Sequence, residues 1–213
     1  MKILFEDKHL AVVQKDAGIL SEPDGSGNDI VTLCSQHTGN ECFLVHRLDR
    51  GTGGVMVLAK TKLCAGKLSA LVSERAFSKE YLAVIKGTPA EKEGVFKDLL
   101  FKDSRKNKSF VVSRQRKGVK EASLEYRVLS SRDDTSLVLV KLHTGRTHQI
   151  RVQFASRKMP LLGDGKYGSR DNRCETALWS CRLSFKHPIT GEEICCASLP
   201  PKEYPWDGFE VEI

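Results

Sequence analysis

Phe43-Leu44-Val45-His46-Arg47-Leu48-Asp49-Arg50-Gly51-Thr52-Gly53-Gly54-Val55-Met56-Val57-Leu58-Ala59-Lys60 passes from one apolar segment through a charged, glycine-rich loop into another. Phe43 to Val45 and Val55 to Lys60 are short and rich in Val, Leu and Phe, which predicts two strands. Strand follows strand here without a helix between them, and the rest of the chain repeats that order. Leu10 to Lys15, Glu80 to Lys86, Ser123 to Leu129 and Leu137 to Leu142 are predicted strands bounded by turn residues, with Leu178 to Phe185 and Glu193 to Ala197 after them. Helical spacing is confined to three places. These are Ile30 to Gln36 after an Asn28 or Asp29 cap, Lys62 to Arg75 after a Thr61 cap, and Thr147 to Ser156 with Ile150 and Phe154 sharing a face. The expected class is therefore α+β, with a large mixed, mainly antiparallel sheet flanked by helices and loops. Glycine and proline clusters at Gly18 to Gly27, Gly87 to Gly94 and Gly163 to Gly168 mark loops, none long enough for an interdomain linker, so a single domain over residues 1–213 is expected.

A chain of 213 residues with 40% apolar and 29% charged residues buries about 70% of its unfolded surface without a disulfide or metal staple. No uninterrupted apolar run is longer than Val55 to Ala59, far short of the roughly 20 residues that cross a bilayer. Glu6 and Asp7 interrupt the apolar start of the chain, against a secretion signal. The 7 cysteines are odd in number, show no CxxC spacing and include the adjacent Cys195 and Cys196, a pattern of reduced thiols in a cytoplasm. Net charge is +7. Lys102 to Lys120 holds 8 basic residues and 1 acid, a local excess equal to that of the whole chain. His143 to Lys158 adds Arg146, Arg151, Arg157 and Lys158 with no acid, and the remainder is mildly acidic. One reading is a solvated, Lys-rich hairpin. The other is a nucleic-acid footprint, in which neutralised phosphates release counterions.

Three stretches carry candidate chemistry. In the first, glycines cost backbone entropy and charges resist burial, so three glycines and an ionisable cluster between apolar strands suggest a loop shaped to present a group to a ligand. Asp49, between Arg47 and Arg50, is a candidate for that group, and the neighbouring cations should keep its carboxylate ionised. A tight turn in which Asp49 merely neutralises its neighbours is the competing reading. The loop lacks GxxxxGK[ST] and GxGxxG and leads into a strand, which argues against a nucleotide-binding loop. In the second stretch, His143-Thr144-Gly145-Arg146-Thr147-His148-Gln149-Ile150-Arg151, a helix beginning near Thr147 would set amide groups and guanidinium forks for phosphate. His143 and His148 fall on different helical faces, without companion ligands for a metal. The third is Lys79-Glu80-Tyr81 leading into a strand. Tyr81 is either a stacking platform for a base or a core tyrosine with a satisfied hydroxyl.

Taken together, the three stretches resemble the RluA-type family of RNA pseudouridine synthases. His46-Arg47-Leu48-Asp49-Arg50 with Thr52 and Gly54 is similar to the family signature, Lys79-Glu80-Tyr81 with Ala83 and Gly87 to its tyrosine motif, and Thr144 to Arg151 with Gly163-Asp164 to its third motif. Ala11-Val12-Val13, Lys15 and Gly18 near the start, and Leu199-Pro200 and Pro205-Trp206 near the end, extend the resemblance along nearly the whole chain. Four places depart from the family pattern. Gly53 stands where Ser is usual, Asp16 where Pro follows the Lys, Gln153 where His is common, and Trp179-Ser180-Cys181 where Leu-His-Ala is common.

The resemblance implies an isomerase that detaches uracil from ribose, rotates it and rejoins it through C5, with no cofactor, metal or energy source. It implies Asp49 as the nucleophilic carboxylate, Arg151 as its ion-pair partner, and Tyr81 as the ring that stacks on uracil and helps remove the C5 proton. Arg47 would fill the space left by an extruded uridine. Arg50, Arg146 and His148, with Lys106, Lys108, Arg114 and Arg116 of the basic block, would bind RNA. The expected partner is ribosomal or transfer RNA, bound by a monomeric catalytic domain in the cytoplasm with no accessory S4-type RNA-binding domain. A non-catalytic RNA-binding or RNA-folding protein using the same groove is the alternative. It accounts for the basic blocks but not for Asp49, Tyr81 and Arg151 together.

Overall fold

A computed structural model describes residues 1–211, arranged in two units: Met1–Lys79 with Trp179–Pro200, and Glu80–Leu178 with Pro201–Val211. The described residues contain eleven strands and three α-helices, an α+β architecture as the succession of strands implies. No helix among them is long and apolar enough to cross a membrane.

In the first unit β1 (Lys2–Glu6), β2 (Leu10–Lys15) and β4 (Gly53–Ala59) pair antiparallel in that order. Both faces of β2 and β4 are buried, which is why their sequences read as continuous apolar runs. The other edge of β4 is shared. The short β3 (Phe43–Leu44) takes the Leu58–Ala59 end, and β10 (Leu178–Lys186) runs parallel to the Gly53–Gly54 end and carries β11 (Glu193–Ala197) beyond it. α2 (Lys62–Ser73) is capped by Thr61, whose side chain accepts the Cys64 N–H. Cys64 and Leu68 join Leu10, Val12, Val55, Val57, Leu183 and Phe185 in one core. α1 (Ile30–Thr38) begins at Asp29, whose carboxylate accepts the Thr32 N–H at 2.8 Å; of the two expected caps, Asp29 is the one used.

The second unit is an antiparallel array in the order β5 (Ser78–Lys86), β9 (Thr135–Leu142), β8 (Val119–Arg132), β6 (Glu93–Asp103) and β7 (Lys108–Val112). α3 (Gln149–Ser156) lays Val152 and Ala155 against Leu100, Val111 and Ala122, while Phe96, Tyr126 and Phe154 make a three-ring cluster. β1, β6 and β7 are strands that the sequence pattern did not predict, and Gly94 lies inside β6 instead of in a loop. α3 starts two residues later than expected, because His148 adopts a left-handed backbone with φ 53°. The Arg146 N–H donates to Gln149 Oε1 at 3.0 Å, so that amide is bound within the chain and not offered to phosphate.

Candidate active site

Asp49 sits half-buried on the loop between β3 and β4, and the backbone on either side of it is anchored. The Ser21 hydroxyl donates to the Leu48 carbonyl at 2.7 Å and accepts the Leu48 N–H at 3.1 Å. Beyond Asp49, the Arg50 carbonyl accepts from the Gly18 N–H at 2.9 Å and from Lys15 Nζ at 3.2 Å. Lys15 is fully enclosed, and its ammonium also donates to the carbonyls of Asp16 and Ile19. The Thr52 N–H closes the turn on the Asp49 carbonyl at 3.0 Å. The main chain of the loop is thus fixed on both sides of the residue that bears the carboxylate, which gives that group a defined origin.

The loop's neighbours play parts the sequence did not assign. Arg47 and Arg50 flank Asp49 in the chain but have other partners: Arg47 pairs with Glu22 at 2.8 Å, and Arg50 Nε donates to the Gly18 carbonyl at 3.2 Å. Both are exposed. His46 is buried, and its Nε2 accepts the Val57 N–H at 3.1 Å. Enclosure first, and the nearby Lys79 charge second, hold this imidazole well below its usual 6.5, so it is neutral. Lys79 itself is pushed down to about 8 by burial, with its ammonium 5.4 Å above the Phe77 ring. Gly54 has φ 113°, and a Cβ there would lie 2.2 Å from the Ser180 carbonyl oxygen, so close contact with β10 demands glycine.

The second unit carries Tyr81 and Arg151. Tyr81 is buried on β5 opposite Val140 of β9. Arg151, buried on α3, grips Asp164 with a fork: Nε to Oδ2 at 2.7 Å and Nη2 to Oδ1 at 2.8 Å. The guanidinium lies 5.2 Å from the centre of the Tyr167 ring. Tyr167 accepts the Ser109 N–H at 2.8 Å, and its hydroxyl is 3.0 Å from His148 Nδ1. Arg151, Asp164, Tyr167 and His148 therefore form one cluster. Nothing in the sequence singles out Asp164 apart from its motif, and Tyr167 goes unmarked, although a tyrosine three residues after Gly163-Asp164, in a chain with only 4, is the available signal.

Arg146 directs its Nε to the Glu121 carbonyl at 2.9 Å. Lys106 is exposed in the turn between β6 and β7, Arg114 is exposed in the loop after β7, and Arg116 covers the Phe101 ring at 4.8 Å. Lys108, less exposed, places its Nζ 2.5 Å from the Lys166 carbonyl and 4.9 Å from the Tyr167 ring centre. Gln153, where the family pattern favours His, donates to Asp98 at 2.7 Å, and Asp98 also pairs with Arg157 at 2.9 Å. Among the described residues no group of three His, Cys, Asp or Glu side chains is arranged to hold a metal ion.

Similar proteins have the same character. A family model for RNA pseudouridylate synthase matches residues 9–156. The uncharacterized RNA pseudouridine synthase YhcT of Bacillus subtilis is 34% identical over 210 residues, covering 94% of this chain and 68% of that protein. Ribosomal large subunit pseudouridine synthase D of Zymomonas mobilis is 31% identical over 215 residues, covering 91% of this chain and 67% of that protein. Among solved structures, human RNA Pseudouridylate Synthase Domain Containing 4 superimposes with a TM-score of 0.78 at 26% identity, over 94% of this chain and 89% of the human chain. With a family match across most of its length and relatives at this level of identity, the chain belongs to the RluA-type RNA pseudouridine synthases, isomerases that act on RNA.

Proposed function

We propose that Asp49 is the carboxylate that drives the isomerisation, and that ribosomal or transfer RNA supplies the uridine. The observation that carries this reading is the anchoring of the Asp49 loop, whose backbone is bound by Ser21, Gly18, Lys15 and Thr52. Such a loop suits a group that must attack and leave a carbon without drifting. In the reaction the N1–C1′ bond of uridine breaks, a C5–C1′ bond forms, the C5 proton is lost and N1 gains one. Tyr81 stacks on the uracil and assists removal of the C5 proton. Arg151, its plane set by Asp164, pairs with the Asp49 carboxylate. Arg47 fills the place of the extruded uridine, while Arg50, Arg146, His148, Lys106, Lys108, Arg114 and Arg116 hold the RNA. Both units work as one catalytic domain, monomeric and cytoplasmic. The name of the Zymomonas mobilis relative favours a ribosomal substrate.

The test is Asp49→Ala. Pseudouridine formation should vanish while RNA affinity stays within a few fold. Activity equal to the unaltered protein would overturn the assignment. Pseudouridine mapping of total RNA from cells with and without the protein would identify the modified position.

A further inference from the structure

The outer face of the β6–β7 hairpin carries aromatic rings where a solvated basic loop has no need of them. Strand alternation sends Ser109 and Val111 of β7 inward and Lys108, Phe110 and Val112 outward. Phe110 lies directly across from Phe101 of β6 and is 37% exposed. Arg116 covers the Phe101 ring at 4.8 Å, and Lys108 Nζ is 5.7 Å from the centre of Phe110. The surrounding segment, Lys102 to Lys120, is the most basic part of the chain. Lys108 is also 4.9 Å from the Tyr167 ring centre, and Tyr167 lies 5.2 Å from the Arg151 guanidinium. Phe110, Lys108, Tyr167 and Arg151 thus form a continuous alternation of rings and cations from the hairpin to the arginine proposed to serve the reaction.

We infer that Phe110 is a stacking platform for an unpaired RNA base outside the target uridine, with Arg116 and Lys108 neutralising the adjoining phosphates. An exposed ring among cations, with few acids nearby, matches the chemistry of single-stranded nucleic acid: each base offers a π-face and each linkage a negative charge. The inference rests on the reading of the protein as an RNA-modifying enzyme and adds a specific contact to it. Because stacking involves no ion release, it contributes affinity without salt dependence, which separates it from the lysines around it.

The experiment uses the full chain with Phe110→Ala, Phe110→Leu and Phe110→Trp. Its probes are a single-stranded oligoribonucleotide, heparin as a polyanion without bases, and an acidic peptide. Phe110→Ala should weaken oligoribonucleotide binding by roughly 5- to 100-fold, leave the slope of log affinity against log salt unchanged, and leave heparin binding unchanged. Phe110→Leu, which keeps apolar bulk without a π-face, should behave like Ala. The two native tryptophans are buried and shielded from an added base, so the change in emission of Phe110→Trp on binding, read against the unaltered protein, reports on residue 110 and should show quenching by the oligoribonucleotide but not by heparin. Unaltered RNA affinity in Phe110→Ala, full affinity in Phe110→Leu, or equal quenching by heparin would overturn the inference. Tighter Phe110-dependent binding of the acidic peptide would overturn it in favour of a protein partner. Pseudouridine formation by the unaltered protein, measured in parallel, tells failure of this contact apart from failure of the enzymatic reading.

Discussion

The indole of Trp179 occupies the space that a side chain at residue 53 would need. A Cβ on Gly53 would lie 2.2 Å from Cζ3 of Trp179 and 2.7 Å from Cε3, and the two residues are partners in the parallel β4–β10 pairing. Trp179 is held by its Nε1–H, which donates to the Ser198 carbonyl at 2.9 Å. Two departures from the family pattern are therefore one: the chain has the large ring on β10 and the bare backbone on β4. Gly53→Ser alone should cost about 1 to 3 kcal/mol through overpacking, and Trp179→Leu alone should cost a similar amount through a cavity. The double variant should be less destabilised than the sum. Urea unfolding of all four proteins checks this, and strict additivity would contradict it.

Removing the carboxylate beneath Arg151 should act on the reaction at one remove. Asp164 is buried and holds Arg151 through two bonds. Asp164→Asn keeps the shape but strips the charge, and weakening a buried pair of this kind costs about 3 kcal/mol. Thermal unfolding should shift downward. The rate constant kcat should fall while KM for RNA stays nearly constant, because Asp164 positions a guanidinium and grips no phosphate in the proposed site. A loss confined to KM would assign Asp164 to RNA binding instead.

Changing Lys106, Lys108, Arg114 and Arg116 together to Ala should flatten the dependence of RNA affinity on salt. Every phosphate that is no longer neutralised by a side chain lowers the slope of log affinity against log salt by about 0.7 for a single strand. A titration over several salt concentrations reads this directly, and an unchanged slope would locate the RNA on another surface.

Stability should fall toward both acid and neutral pH for separate reasons. His46 is held neutral by enclosure, with the Lys79 charge adding to the effect. Below about 6.5 the unfolded chain binds a proton at this imidazole that the folded chain refuses, so stability decreases as pH falls. Lys79, pushed down to about 8 by burial from 10.5, works at the alkaline end. Between those values the unfolded chain keeps a proton that the folded chain has released, so stability rises with pH. His46→Gln, which retains an acceptor for the Val57 N–H, should flatten the acid limb, and Lys79→Met the alkaline one. Urea midpoints across the pH range measure both limbs.

The parts of the fold that were legible in the sequence are those whose burial is uniform. β2 and β4 are enclosed on both faces, so unbroken apolar runs announced them. β6 was hidden because its alternation is broken. Asp98 turns inward to Gln153 and Arg157, while Val95, Leu99 and Phe101 face outward. β7 was hidden by its place in the basic block. At the site, the glycines and the carboxylate of the 46–54 loop were legible, whereas Lys15 and Gly18 stood out only as parts of the resemblance, with no anchoring role, and Ser21 not at all. Ser21 reaches the Leu48 carbonyl and Lys15 the Arg50 carbonyl across long stretches of chain, and contacts to main-chain atoms leave no pattern in the residues they touch. The start of α3 depends on a left-handed His148, which no cap residue signals.

Lys15 contacts Asp16, Ile19 and Arg50 at their carbonyl oxygens, and Ser21 contacts Leu48 in the same way. These carbonyl contacts are indifferent to which side chains those residues carry, although Arg50 adds a side-chain bond of its own to the Gly18 carbonyl. Arg47, whose side chain pairs with Glu22 outside these anchors, can therefore be exchanged without loosening the main chain that carries Asp49. For an engineer, Lys15 and Arg50 are the positions to leave alone, since their side chains tie the loop to the carbonyls of Asp16, Gly18 and Ile19.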